Sequence, residues 1–127
     1  MIPKKQTWKS KAKTREKGPS ARTVALLLAR SHGVCELCGQ AEATEIHHRK
    51  YRSRGGGHEI TNLLPVCGMG NTSGCHGRAH SGVGADNGWA VHAWQNPALV
   101  PVRRADGLLW LPTTGGGWVL CDDTTDF

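Results

Sequence analysis

A small α+β domain is what this sequence predicts, and three observations point to it. Apolar side chains at helical spacing follow Ser20, and a block from Val34 to about Ser81 concentrates cysteine and histidine at short intervals. Behind it, from Trp89 to Leu120, comes a tail rich in Trp and Val and punctuated by Pro and Gly, the pattern of short strands. With 127 residues there is room for one domain, since two separate cores would each be too small to stand without cross-links. One Phe, one Tyr and 17 Gly leave the apolar core thin, so hydrophobic burial needs a supplement.

The chain opens on a basic arm, residues 1–19, with Lys4, Lys5, Lys9, Lys11, Lys13, Arg15 and Lys17 against a single Glu16. It reads as flexible when free, and two roles stay open: a tail that tracks phosphates, or a solvated terminus. The formal charge of +6 and the pI near 9.4 favour a polyanionic partner, nucleic acid or an anionic membrane surface. No stretch approaches the roughly 18 apolar residues of a membrane helix. The first residues run into lysine instead of an apolar signal region, so cytoplasmic residence is expected. In that reducing compartment five cysteines argue for metal or free thiols over disulfides.

A core of residues 20–81 follows. Ser20 suits a helix N-cap, Val24, Leu27, Leu28 and Ser31 share one face, and Gly33 suits the C-terminal stop. The extension, residues 82–127, carries Asp106-Gly107 between Val102–Ala105 and Leu108–Leu111, which predicts a two-residue hairpin turn. Trp89, Trp94, Trp110 and Trp118 fit packing of this β tail better than stacking on bases.

The cysteine spacing has a direct consequence. A Cys-x-x-Cys turn, Cys35 to Cys38, lets two thiolates converge on one ion, and Cys67 with Cys75 can complete a tetrahedral zinc site with Zn–S distances of about 2.3 Å. The loop from Gly68 to Gly74 is longer than the usual two-residue knuckle, but its three glycines allow it to return. A redox pair or ordinary buried cysteines are the other readings. A structural zinc would add about 10–16 kcal/mol of binding free energy that is also folding free energy. Cys121 reads as a plain, partly buried thiol.

The histidines form a second pattern. On a helix beginning near Cys75, His76 and His80 project from the same face and can hold one ion, with His47 approaching from a preceding strand. Neighbours on a strand point to opposite sides, so His47 can bind metal while His48 stays free as a base. Three histidines leave coordination positions open for water and a phosphate oxygen, the mark of a catalytic site. Arg49, Lys50, Arg52 and Arg54 then follow on a glycine-rich loop, where they either grip phosphates beside a cut or form a solvated surface. His58 beside Glu59 reads as a surface histidine and stays outside the site, and His32 and His92 have no partners at useful spacing.

Taken in order, the Cys35/Cys38 and Cys67/Cys75 pairs, His47-His48, Gly55-Gly56-Gly57, Asn62-Leu63-Leu64, Cys75-His76 and His80 resemble the HNH endonucleases, the ββα-metal or His-Me finger family. The resemblance covers roughly Val34 to Ser81 and implies a β-hairpin and a helix wrapped around one divalent ion, Mg, Mn, Ni or Zn, beside the structural zinc. It implies His47 and His76 as ligands to the catalytic ion, with His80 matching a ligand found in part of the family. By the same resemblance His48 is the general base and Asn62 the residue that holds the base-bearing segment, unless it merely caps a turn. The stretched Cys67–Cys75 loop departs from the commonest pattern.

The implied activity is DNA hydrolysis to 5′-phosphate and 3′-hydroxyl ends. The organisation also looks like HNH proteins of actinobacterial bacteriophages, which implies a packaging terminase as partner. A second function class is a catalytically silent zinc module that binds DNA or protein, and a third is a toxin nuclease. The free base at His48 argues against the second. The absence of a delivery domain or secretion signal weakens the third.

Overall fold

The computed structural model describes residues 18–121. The basic arm lies almost wholly outside that range.

Helix α1 (Ala21–Ser31) starts where Ser20 accepts a hydrogen bond from the Thr23 N–H at 3.1 Å and so satisfies one of the orphan donors of the first turn. It stops where His32 turns left-handed at φ 58° and the Gly33 N–H returns to the Leu28 carbonyl. Leu27 and Ser31, one turn apart, form the buried stripe. Leu28, expected on that face, is 40% exposed, because it sits one step round the helix from so narrow a stripe.

Strands β1 (Glu45–His48) and β2 (Leu63–Val66) pair antiparallel, with Glu45 opposite Val66 and His48 opposite Leu63. All four β2 residues are buried: one flank of the strand pairs with β1, and the Pro65 carbonyl accepts the Glu36 N–H. Helix α2 (Gly74–Ala79) follows, then the single turn α3 (Val83–Asp86). A second antiparallel sheet runs β3 (Val102–Arg103), β4 (Leu109–Pro112), β5 (Trp118–Leu120). Its first hairpin is a three-residue loop, not the two-residue turn expected. Arg104 pairs with Leu108, and Gly107 takes the left-handed position at φ 81°, the geometry of a type I turn closed by a glycine bulge.

Two sulfurs of the cysteine set belong to the apolar core itself. Cys35 and Cys75 are buried with Leu37, Leu64, Val66, Ala79, Trp89 and Val102, while Cys38, Cys67 and Trp118 pack against that cluster. Side chains from both sides of residue 82 therefore share one core. Polar ties reinforce it. Arg30 on α1 and Glu36 between the first two cysteines form an ion pair at 2.6 Å in which both side chains are almost fully enclosed, and the Trp118 indole N–H donates to the same carboxylate.

Arg49 is fully buried. Its guanidinium donates to the carbonyls of Gly88, Thr61, Pro97 and Val100 and so pins the chain beyond α3 to the loop after β1. The expectation that Arg49 grips DNA phosphates is therefore corrected. Four of its five N–H donors are taken by backbone acceptors, and the side chain is out of reach of solvent.

Candidate functional site

The strand alternation of β1 decides which histidine goes where. His47 points into the protein with no exposed surface, and His48 lies on the other side of the strand, half-buried and lining an open cleft of about 450 Å³ with Tyr51, Arg52, His76 and His80. His76 on α2 and His80 at its C-terminal cap come round to His47: the three ring centroids lie 5.0–5.1 Å apart. One nitrogen from each falls within 4.8 Å of the others.

Hydrogen bonds fix which nitrogen is free. The Trp89 carbonyl can only accept, so His47 donates Nε2–H to it at 2.6 Å, which leaves Nδ1 bare. That Nδ1 is buried without a hydrogen-bond partner among the described residues. Such an orphan costs on the order of 1–3 kcal/mol unless something occupies its lone pair, and a metal ion beside two further imidazoles meets that need. His76 in turn donates Nδ1–H to Glu45 at 2.6 Å, leaving Nε2 toward the cluster. The carboxylate behind a ligand histidine fixes the ring and raises its basicity. Glu45 is itself held below the usual carboxylate range by the Gly70 N–H and by His76. His80 stacks on Tyr51 at 4.8 Å, and the Arg54 guanidinium lies over the Tyr51 ring at 4.6 Å.

The titration behaviour of the cluster follows from burial. Enclosure pushes His47 down to about 3, the Trp89 hydrogen bond offsetting part of the effect, and burial lowers His80 as well. His48 is lowered to about 4 by burial and then by neighbouring His58, so it stands neutral at physiological pH, as a proton acceptor must.

Asn62 is completely buried, and its side-chain hydrogen bonds go to the loop after β1 and not to His48. Its Oδ1 accepts the Lys50 N–H at 2.7 Å, and its Nδ2 donates to the carbonyls of Lys50 and Gly57. The loop it gathers is so tight that a Cβ on Gly56 would fall 1.7 Å from the Lys50 carbonyl oxygen. Lys50, Arg52 and Arg54 lie on this loop, and Arg52 and Arg54 are exposed. His58, read from sequence as a plain surface histidine, instead places Nδ1 3.0 Å from His48 Nε2.

The four cysteines converge on a second point. Their sulfurs lie within 4.8 Å of one another, Cys38 and Cys67 at 4.0 Å. A thiolate tetrahedron about 2.3 Å from zinc has edges of roughly 3.8 Å, so the set is of zinc-binding size. The long connection closes because Gly68 and Gly74 meet backbone to backbone, where a Cβ on Gly74 would lie 2.6 Å from the Gly68 Cα. Burial raises the Cys35 and Cys75 thiols. Cys38, which burial alone would also raise, is brought down to about 7 by backbone N–H groups of Ala41 and Gln40. Four thiolates this close repel one another strongly, and a cation at their centre relieves that repulsion. Cys121 is a partly buried free thiol outside the set.

Sequence spacing missed three contributors. Glu45 carried a signal, since it stands two residues before His47 on the same strand. His58 and the Trp89 carbonyl carried none, one lying across a glycine loop and the other being backbone.

Compared with known proteins, residues 35–82 match the family model of the HNH endonucleases. Neither curated proteins nor solved structures yield a match. The matched stretch holds both donor clusters complete. It is over residues 35–82 that the chain is similar to an HNH endonuclease domain.

Proposed function

We propose that the chain is a metal-dependent DNA endonuclease that hydrolyses phosphodiester bonds to 5′-phosphate and 3′-hydroxyl ends. The observation that carries this reading is the bare, buried Nδ1 of His47, whose ring clusters with those of His76 and His80, while His48, on the opposite side of the strand, lines the cleft neutral. His47, His76 and His80 would hold one divalent ion, and Cys35, Cys38, Cys67 and Cys75 a structural zinc. When bound, the catalytic ion supplies Lewis-acid stabilisation of the phosphate and of the departing oxygen.

The chain's own residues do the rest. His48 takes the proton of the attacking water. Asn62 holds the loop that leaves β1 immediately after His48, and Trp89 and Glu45 orient two of the ligand rings. Arg52 lines the cleft, and Lys50 and Arg54 stand on the same loop, as cations for neighbouring phosphates, which fix register without reading sequence.

The test is cleavage of supercoiled plasmid with Mg, Mn, Ni or Zn, wild type beside His48→Ala. Wild type should yield nicked or linear product. His48→Ala should lose about 10²–10⁴ in rate with DNA binding and thermal stability kept. A gel shift without cutting under any metal would instead support the silent zinc module, and full activity of His48→Ala would remove it as base.

A further inference from the structure

His58 stands outside the metal cluster, yet its contact with His48 is unusually specific. We propose that His58 is a positioning residue for His48, accepting the His48 Nε2 proton at its own Nδ1 and so leaving His48 Nδ1 as the nitrogen that takes the proton from water. This rests on the nuclease reading above.

The geometry supports it in three ways. First, the two nitrogens are 3.0 Å apart, a full hydrogen bond, with the rings tilted at 66° and their centroids 5.1 Å apart. Only one of the pair can donate while both are neutral. A neutral imidazole with no other constraint prefers its proton on Nε2. That preference makes His58 Nδ1 the acceptor and His48 Nε2 the donor, so both rings keep their favoured tautomer.

Second, one buried side chain braces both histidines. The Asn62 amide binds the N–H and carbonyl of Lys50, two residues after His48, and the carbonyl of Gly57, the residue before His58. The Gly56 N–H closes the same loop onto the Tyr51 carbonyl, and Gly56 has no room for a side chain. The loop thus sets the spacing between the rings, and the contact does not depend on side-chain reach alone.

Third, the position is distinct from that of a ligand. His58 is not among the residues whose donor atoms converge on a common point with His47, His76 and His80. The ligand histidines His47 and His76 are oriented by Trp89 and Glu45 respectively. His58 gives the base what those groups give the ligands.

The experiment compares wild type, His58→Ala and His58→Asn on supercoiled plasmid with Mg, at saturating and limiting DNA, with long-range ¹H–¹⁵N spectra of the imidazoles. Asn offers Oδ1 close to where His58 holds Nδ1, so it keeps the acceptor. His58→Ala should lower kcat about 10- to 100-fold, the usual effect of losing an outer partner, with KM, melting temperature and zinc content unchanged. His58→Asn should recover activity to within a few-fold. The spectra should show His48 as the Nε2–H tautomer in wild type and as a mixture in His58→Ala. Wild-type kcat in His58→Ala, no recovery in His58→Asn, or an Nδ1–H tautomer for wild-type His48 would each overturn the assignment. A wild type that cuts nothing with any metal overturns the nuclease reading instead, while the spectra still report the histidine pair.

Discussion

At the scale of single residues the site is a set of imidazoles made unequal by their surroundings. His47 and His48 are chemically identical neighbours, yet one is sealed against the Trp89 carbonyl and the other lines the cleft. The sealing has a pH signature. His47 titrates at about 3 in the fold and near 6.5 when unfolded, so between those values the unfolded chain binds the extra proton. The stabilisation from keeping His47 neutral is complete above pH 6.5 and drains away as the pH falls toward 3, by about 1.4 kcal/mol per pH unit. Urea denaturation of the metal-free protein between pH 6.5 and 5 should show at least that slope, because His48 and His80 are lowered in the same direction and add to it. His47→Gln, which takes up no proton, should be shallower by about that amount, and an equal slope in both would show that His47 does not set it.

At the scale of elements, β1, β2 and α2 form the hairpin and helix that present the histidines, and the cysteine cluster links them. Cys35 and Cys38 precede β1, Cys67 directly follows β2, and Cys75 lies on α2, so an ion held there would tie together the elements that carry the three clustered histidines. Cys38→Ser should therefore lower both zinc content and melting temperature, read by metal analysis and calorimetry. An unchanged metal count would refute the structural site. Helix α1 is joined to this knuckle by the enclosed Arg30–Glu36 pair. Glu36→Ala leaves the Arg30 charge buried without its carboxylate and should cost about 3–5 kcal/mol in denaturant unfolding, far more than an exposed pair would.

At the scale of the whole molecule, the segment after the HNH match completes the site. The match ends at residue 82, but the Trp89 carbonyl orients His47, and Gly88, Pro97 and Val100 supply three of the carbonyls around Arg49. A chain ended before Gly88 keeps both donor clusters and His48, yet should neither unfold cooperatively nor cut DNA, because Arg49 would remain charged without most of its acceptors. Retained plasmid cleavage by that truncation would show the extension to be dispensable. Among the described residues no helix is long and apolar enough to cross a membrane.

Local rules made much of this legible from sequence. Ser20 and Gly33 bracket α1, strand alternation separates His47 from His48, and the spacings of the cysteines and of His76 and His80 foretell both donor clusters. Each depends on contacts within a few residues or on a fixed periodicity, which a sequence displays directly. The fate of Arg49, the partnership of His58 with His48 and the role of Trp89 depend on contacts made across 10 to 51 residues, most of them to backbone carbonyls. A carbonyl has no side-chain identity to read, and a loop's closure is set by packing. The sequence by itself determined which donor and titratable groups the chain carries and at what spacing, and the tertiary structure decided which of its charged and titratable groups face the cleft and which hold the protein together.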